Sequence, residues 1–390
     1  MSEHIITGID VGTYQVKVVI VRVSHQKNEP HGLPQIIGTG HAESRGLRNG
    51  YIMNESDVIR SIRSAVTQAE KTAGVSVKKA YLSIGSVGLD EIISTGEVIT
   101  SRADSEITTI DIEKASQDSE DRITDHIPNR KIIHAIPLRF RIDGEPVLGK
   151  PEGMRGTKLE VDTLFITTFE QHLNDLIGAV ERTGIYVEDV MASPLAASFV
   201  ILNKAQRRAG CIMANIGAET VSTVVFEDMT PISLKVFPIG ANDITNDIAL
   251  GLKITLEEAE KVKRGSITTT NYPKKRLEEI INARLSDIFE LINLHLKKIK
   301  KDGLLPAGII LTGGGSITLG IQEFARNTLN LPARIATLEF DKNTKIRDAS
   351  WAVAYGLCMI GASDGEESTT IGITKQAKRT ILDWLSQFLP

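Results

Sequence analysis

The residues best suited to chemistry lie in two glycine turns of one design. Asp10-Val11-Gly12-Thr13 separates two largely apolar runs, Ile5–Ile9 and Val16–Ile20. About 200 residues later, Asn215-Ile216-Gly217-Ala218-Glu219-Thr220 separates Cys211–Ala214 from Val221–Phe226. Each reads as a β-hairpin with Asp or Asn, a spacer, glycine and a hydroxyl residue at its bend. Glycine lets the backbone come close to a ligand, and the N–H and hydroxyl groups of such a bend converge on an anion. A third glycine loop, Thr312-Gly313-Gly314-Gly315-Ser316, again follows an apolar strand. Lys17, on the second strand of the first hairpin, is either a cation beside that anion or a solvent-facing strand lysine.

These turns need elements to hold them. Residues 5–23 read as a hairpin and 35–43 as a further strand. Asn54 caps an amphipathic helix with Val58, Ile59, Ile62, Ala65, Val66 and Ala69 on one stripe and Gly74 closing it. Val77–Ile84 is a strand. From about 86 to 163 come short β-like runs, an acidic helix around 110–122, and turns at Asp143-Gly144 and Pro151-Glu152-Gly153. That is the pattern of a small inserted α+β domain. Val161–Thr168 reads as the strand that returns to the parent domain, followed by a helix over 169–183. Beyond the second hairpin, helices are expected at about 242–250 and 255–264. A long one over 274–301 carries the broad stripe Leu277, Ile280, Ile281, Leu285, Ile288, Phe289, Ile292 and Leu296. A helix over 346–361 has small and apolar residues suited to close packing on a sheet. Residues 362–372 are polar, acidic and Gly/Ser-containing, as a linker is.

The chain has 390 residues, enough for two or more domains with real cores, and its 41% hydrophobic and 24% charged residues are those of a soluble globular protein. A net charge of −4 argues against nucleic acid as a partner. Cys211 and Cys358 sit in apolar surroundings, so buried reduced thiols in a cytoplasmic protein are expected. No secretory signal and no membrane-spanning apolar run is read. His134 has no second histidine or cysteine at ligand spacing and is read as structural.

In this order, the two hairpins and the GGGS loop resemble the actin-like ATPase superfamily. Within it the chain is similar to the FtsA family of bacterial cell-division proteins over essentially its whole length. Ile132-Ile133-His134-Ala135-Ile136-Pro137, Asp143-Gly144 and Pro151-Glu152-Gly153-Met154-Arg155-Gly156 carry that likeness in the insert. The resemblance implies an α/β, actin-like (ribonuclease H-like) two-lobed ATPase fold, with the small α+β domain inserted and an amphipathic helix at the C-terminal end. The expected parts are 1–85, the insert 86–163, a return over 164–210, the second lobe 211–361, a linker 362–373 and the helix 374–390. Also implied are ATP with Mg²⁺ in the cleft, polymerisation, and tethering of the C-terminal tail of FtsZ to the cytoplasmic face of the inner membrane at the division site, beside other division proteins.

Residue by residue, the resemblance puts Asp10 toward the metal, since Mg²⁺ needs only one or two carboxylates besides phosphate oxygens. Gly12 and Thr13 would cradle phosphate, with Tyr14 beside them and Lys17 as a cation. Asn215, Gly217 and Thr220 form the second cradle. Glu258 and Lys261 are expected on the ribose and adenine, Gly313, Gly314, Gly315 and Ser316 against the adenosine, and Gly240 among the nucleotide-binding residues. The second turn departs from the family's Asp-x-Gly-Gly-Gly-Thr. Asn215 removes a carboxylate, while Ala218 and Glu219 add side chains where backbone should meet phosphate, so binding with slow or absent hydrolysis is expected. Arg284 is a candidate contact for an acidic FtsZ tail.

Thr374 caps a helix whose apolar face holds Ile381, Trp384, Leu385 and Phe388, bordered by Lys378 and Arg379. That is the composition of an interfacial anchor for an anionic membrane. The alternatives are a PilM-like assembly scaffold and a small-molecule kinase of the same superfamily. The kinase would need a catalytic carboxylate in the cleft, and none stands out.

Overall fold

A computed structural model describes residues 4–23, 34–102, 104–266, 272–338 and 348–367. The first lobe contains β1 (His4–Val11), β2 (Gln15–Val23), β3 (Gln35–Glu43), the ribbon β4 (Leu47–Arg48) and β5 (Tyr51–Ile52), α1 (Glu55–Ala73) and β6 (Lys79–Ile84). The insert supplies β7 (Asp90–Ile99), α2 (Thr109–Thr124), β8 (Arg130–Ile142), β9 (Glu145–Val147) and β10 (Lys158–Phe169). The lobe closes with α3 (Glu170–Glu181), β11 (Tyr186–Ala192) and α4 (Ser193–Ile201). The second lobe comprises α5 (Lys204–Ala209), β12 (Cys211–Ile216), β13 (Val221–Glu227), β14 (Thr230–Phe237), α6 (Ala241–Leu252), α7 (Leu256–Lys263) and α8 (Lys274–Lys298). After these come β15 (Ile309–Thr312), α9 (Ile321–Leu329), β16 (Ala333–Ile335) and α10 (Ala352–Glu367).

The two lobes repeat one sheet. Strand order is β11-β6-β1-β2-β3 in the first and β14-β13-β12-β15-β16 in the second. In each, a glycine hairpin pairs antiparallel and its first strand pairs parallel with the next strand, β1 with β6 and β12 with β15. Alternation along β12 divides the core. Cys211 and Met213 face the core shared with the first lobe, while Ile212, Ala214 and Ile216 face the helices of the second. As expected, Asn54 caps α1, its Oδ1 accepting the Asp57 N–H at 3.3 Å, and Gly74 ends it at φ 69°.

Helices α4 and α10 lie where the lobes meet. A Cβ on Gly356 of α10 would sit 1.9 Å from the Ala196 carbonyl of α4, and one on Gly8 of β1 2.2 Å from the Ala354 carbonyl of α10. Glycine is required at both positions because backbone packs on backbone. Burial raises both thiols, that of Cys211 to about 12, and Cys358 lies on the Val19 carbonyl at 3.3 Å.

Two boundaries differ from the sequence reading. Val161–Thr168 is not a strand returning to the parent sheet. β10 is a central strand of the insert's own sheet, of order β7-β10-β8-β9, and pairs with β7 and β8 along its length. The insert therefore runs to Phe169. From Val161 to Thr168 the strand is buried, because α2 covers one face and the first lobe the end of the other, which hides the end of the domain from a sequence pattern. Likewise, 362–367 continue α10 as helix, with Ser363 Oγ donating to the Met359 carbonyl at 3.1 Å. The rest of the linker and the helix expected over 374–390, with Lys378, Arg379, Ile381, Trp384, Leu385 and Phe388, lie outside the described residues.

Buried polar contacts pin the insert to both lobes. His134 Nε2 of β8 accepts the Ala192 N–H of β11 at 3.0 Å. Glu91 of β7 accepts the Ser233 hydroxyl at 2.9 Å and the Leu234 N–H, and Ser233 also meets His295 Nε2 at 2.8 Å. Burial holds His134 and His295 each at about 4, well below the ordinary imidazole value of 6.5. A depressed folded pKa means that the unfolded chain binds more protons between these values. The stability contributed is thus complete above about 6.5 and is lost as pH falls toward 4. Urea midpoints measured from pH 7.5 to 4.5 should fall steeply, and His134→Gln should lower the midpoint at pH 7.5 yet flatten that fall. An unchanged slope in the variant would remove His134 from the acid limb.

Candidate functional site

The hairpin bends of the two lobes open on one cavity of about 870 Å³. Asp10, Gly12, Thr13, Tyr14 and Lys17 line it from the first lobe, and Asn215, Gly217, Thr220, Gly313, Gly314 and Gly315 from the second. Asp10 and Lys17 are direct partners across the β1–β2 ladder, which the hairpin register dictates. Burial pushes the Asp10 carboxyl above its ordinary range. The Ser83 hydroxyl, donating to its Oδ1 at 2.7 Å, and the Lys17 charge oppose that rise. Burial lowers Lys17, against the pull of Asp10 and Asp348. Its Nζ donates to the Ser350 carbonyl at 2.9 Å and stands 5.8 Å from the Trp351 ring centre, so Lys17 points into the cleft rather than to solvent.

Ser316 and Gly240 brace the loops instead of lining the cavity. Ser316 Oγ donates to the Gly313 carbonyl at 2.7 Å, and Gly313 has φ 84°. Gly240 is the N-cap of α6, where a Cβ would lie 2.3 Å from the Ala218 carbonyl. That close fit lets the Ala241 and Asn242 N–H groups donate to the Gly217 and Ala218 carbonyls at 2.9 and 2.8 Å.

Helix α7 corrects the reading of the ribose side. Ala259 and Val262 are its core positions, and at about 100° per residue they turn Glu258 and Lys261 away from the cavity. Lys261 pairs instead with Glu257 at 2.8 Å. Glu257, Glu260, Lys263 and Arg264 line the cleft. Lys263 is 3% exposed, and its Nζ donates to the Ala241 carbonyl at 3.1 Å and Thr245 Oγ1 at 2.8 Å while pairing with Glu260 at 2.6 Å. Burial lowers Lys263, and the Glu260 carboxylate opposes this. The signal was present as Ala259-Glu260 followed by Lys263, but a run of charges hides which face is buried. Ser83, Ser193, Thr245 and Asp348 also line the cavity and were not singled out.

Two further expectations change. The Glu219 side chain does not fill the phosphate turn; its carboxylate accepts the Asn49 N–H at 2.6 Å. Arg284 is engaged within its own lobe, with Nε and Nη2 on Asp247 of α6 at 2.7 and 3.2 Å and Nη1 on Asp287 at 3.1 Å. Among the described residues no group of three His, Cys, Asp or Glu side chains forms a metal cluster, and no helix is long and apolar enough to cross a membrane.

The family model described as Cell division protein FtsA matches residues 212–356, and that for the SHS2 domain inserted in FTSA matches 91–167. The Cell division protein FtsA of Borreliella burgdorferi is 30% identical over 358 residues, 86% of this chain and 85% of the relative. That of Bacillus subtilis is 28% identical over 377 residues, covering 91% and 83%. The chain belongs to the FtsA family of cell-division proteins.

Solved structures agree on the fold of this FtsA-family chain. The PilM–PilN type IV pilus biogenesis complex matches with a TM-score of 0.65 at 18% identity, covering 92% of this chain and 98% of the other. MreB5 of Spiroplasma citri bound to ADP matches at 0.52 and 12% identity, covering 93% and 99%. The fold is the actin-like two-lobed one with an inserted SHS2 domain.

Removing one partner of a buried ion pair strands the other charge. Glu260→Ala should therefore destabilise the FtsA-family fold by about 2–3 kcal/mol, below the full buried-pair cost because Glu260 is partly exposed. Replacing both partners, Glu260→Gln with Lys263→Met, should recover much of that loss. Urea unfolding of the single and double variants checks this, and additive losses would mean that the pair is not coupled.

Proposed function

We propose that this protein binds ATP with Mg²⁺ in the interlobe cavity, polymerises, and tethers FtsZ filaments through their C-terminal tail to the cytoplasmic face of the cell membrane at the division site. The observation that carries the nucleotide reading is the convergence of both hairpin bends and the Gly313–Gly315 loop on one cavity that also holds Asp10 and Lys17. These residues fit such a ligand: backbone without Cβ on three sides, hydroxyls at Thr13 and Thr220, the Lys17 cation, and the Asp10 carboxylate for a hydrated Mg²⁺. The metal would neutralise phosphate charge. Asp10 would hold its water shell, Lys17 would stand beside the phosphates, and backbone N–H groups of the bends other than that of Gly217, which the Thr220 carbonyl takes, would donate to them. Family membership supports the division role and the FtsZ partnership. The PilM-like reading shares only the fold.

Hydrolysis is slow in this reading, because Asn215 supplies no carboxylate to orient an attacking water. Asn215→Asp should raise steady-state phosphate release at saturating Mg·ATP, whereas Asp10→Ala should weaken Mg·ATP binding more than any change at 215. Turnover that stays flat in Asn215→Asp would sink the assignment of the missing part.

Membrane attachment is proposed for residues 374–390 from sequence alone. A fully buried Trp, Leu, Ile or Phe is worth about 1.5–3 kcal/mol, and an interfacial helix buries each only in part. Each basic residue near anionic lipid adds about 1 kcal/mol. A single helix therefore binds weakly, and a polymer presenting many binds tightly through effective concentration. Trp384→Glu should release the protein from anionic liposomes and leave nucleotide binding intact. Undiminished co-sedimentation would overturn the anchor and favour the scaffold reading.

A further inference from the structure

The turn between β4 and β5 and the bend between β12 and β13 meet at the edge of the cavity, Gly50 lining it on one side and Ala218 and Thr220 on the other. Between them the Glu219 carboxylate accepts the Asn49 backbone N–H at 2.6 Å, a bond from the second lobe to the first. Both ends are braced. Asn49 and Gly50 take left-handed backbone, φ 50° and 82°, and the Asn49 carbonyl accepts the Val87 N–H at 3.3 Å. A Cβ on Gly50 would lie 2.6 Å from Ser86 Cα, so the turn rests directly on the first lobe. On the other side, the Gly217 N–H is spent on the Thr220 carbonyl at 2.8 Å, and the Gly217 and Ala218 carbonyls are held by the start of α6. A hydrogen bond to a charged acceptor between two fixed loops stabilises only the arrangement in which the lobes are together, and so biases an open–closed equilibrium.

We infer that Glu219 is the specificity-determining latch of this cleft. It closes the second lobe on the first without help from a terminal phosphate, so nucleoside diphosphate is retained about as firmly as triphosphate. Closure follows from the geometry by itself; the retention of diphosphate rests on the nucleotide reading of the cavity.

The test uses the full chain with Ser64→Cys on α1 and Glu278→Cys on α8, both exposed sites that take spin labels while the native thiols stay buried. Without nucleotide, interlobe distances should be narrow in the parent and longer or broader in Glu219→Ala. Glu219→Asp, which keeps the charge but is one carbon too short, should open likewise, and Glu219→Gln, which keeps an acceptor at the same reach, should stay largely closed. In stopped flow, a fluorescent ADP should leave Glu219→Ala about tenfold faster or more, and the parent should hold ADP and ATP within a few-fold of each other. Distances in Glu219→Ala that coincide with the parent overturn the latch, as does opening in Glu219→Gln equal to that in alanine. If the parent binds neither nucleotide, the retention claim falls with the reading of the cavity, while the distances still judge the latch.

Discussion

Two sheets can face each other across a cleft only if something holds them together at its floor. Here backbone-on-backbone packing of α10 against β1 and of α10 against α4 does so, at Gly8 and Gly356. α10 packs on β1, β2 and β6 of the first sheet, and α4, which lies against α10, also touches β12 and β13 of the second. Their contact merges residues of the first sheet with Cys211, Met213, Val224, Phe226 and Ile310 of the second into one core. A methyl group at either glycine would meet a carbonyl oxygen that cannot move without its helix. The geometry of the cavity above inherits this constraint, because the carbonyl that receives Lys17 belongs to Ser350, just before α10.

The insert is fixed by a different kind of contact. Its sheet packs apolar residues against α2 and puts Ile136, Leu164 and Ile166 into the first-lobe core, and its junctions with the two lobes add buried polar contacts: His134 on the Ala192 amide, and Glu91 on Ser233 and Leu234. Apolar packing tolerates sliding, whereas a buried acceptor left without its donor is costly, so these pins set orientation as well as affinity. The insert thus touches both lobes while standing outside the cleft.

Much of this was legible in the sequence because it rests on local rules. Alternating β-branched residues around Asp10-Val11-Gly12 and Asn215-Ile216-Gly217 specify hairpins, and Asn54 and Gly74 delimit α1 through cap chemistry that needs no tertiary partner. What escaped was set by packing. The phase of α7 depends on Ala259 and Val262 meeting the core, and charges on every side of the helix conceal it. The end of the insert is hidden because the last part of β10 is covered on both faces, which erases alternation there. Arg284 resembled a free surface cation only because Asp247 lies on another helix.

The two walls of the cleft are also unequal in charge, and this bears on how the lobes come together. The first wall carries Asp10, which burial pushes above the ordinary carboxyl range against the opposing Ser83 hydrogen bond and Lys17 charge. The second carries Asn215, a neutral amide lodged against Gly313, where a Cβ would lie 2.2 Å from its Oδ1. Two carboxylates facing one cavity repel unless a cation or a proton lies between them. With an amide at 215, Asp10 meets no second carboxylate from the facing hairpin bend. The acidic side chain of the second turn is displaced to the rim, where Glu219 meets a backbone amide instead of another carboxylate. Asn215 lowers the electrostatic cost of closing and Glu219 adds an attraction that exists only when closed, so these two of the three departures from the common turn pattern act in the same direction.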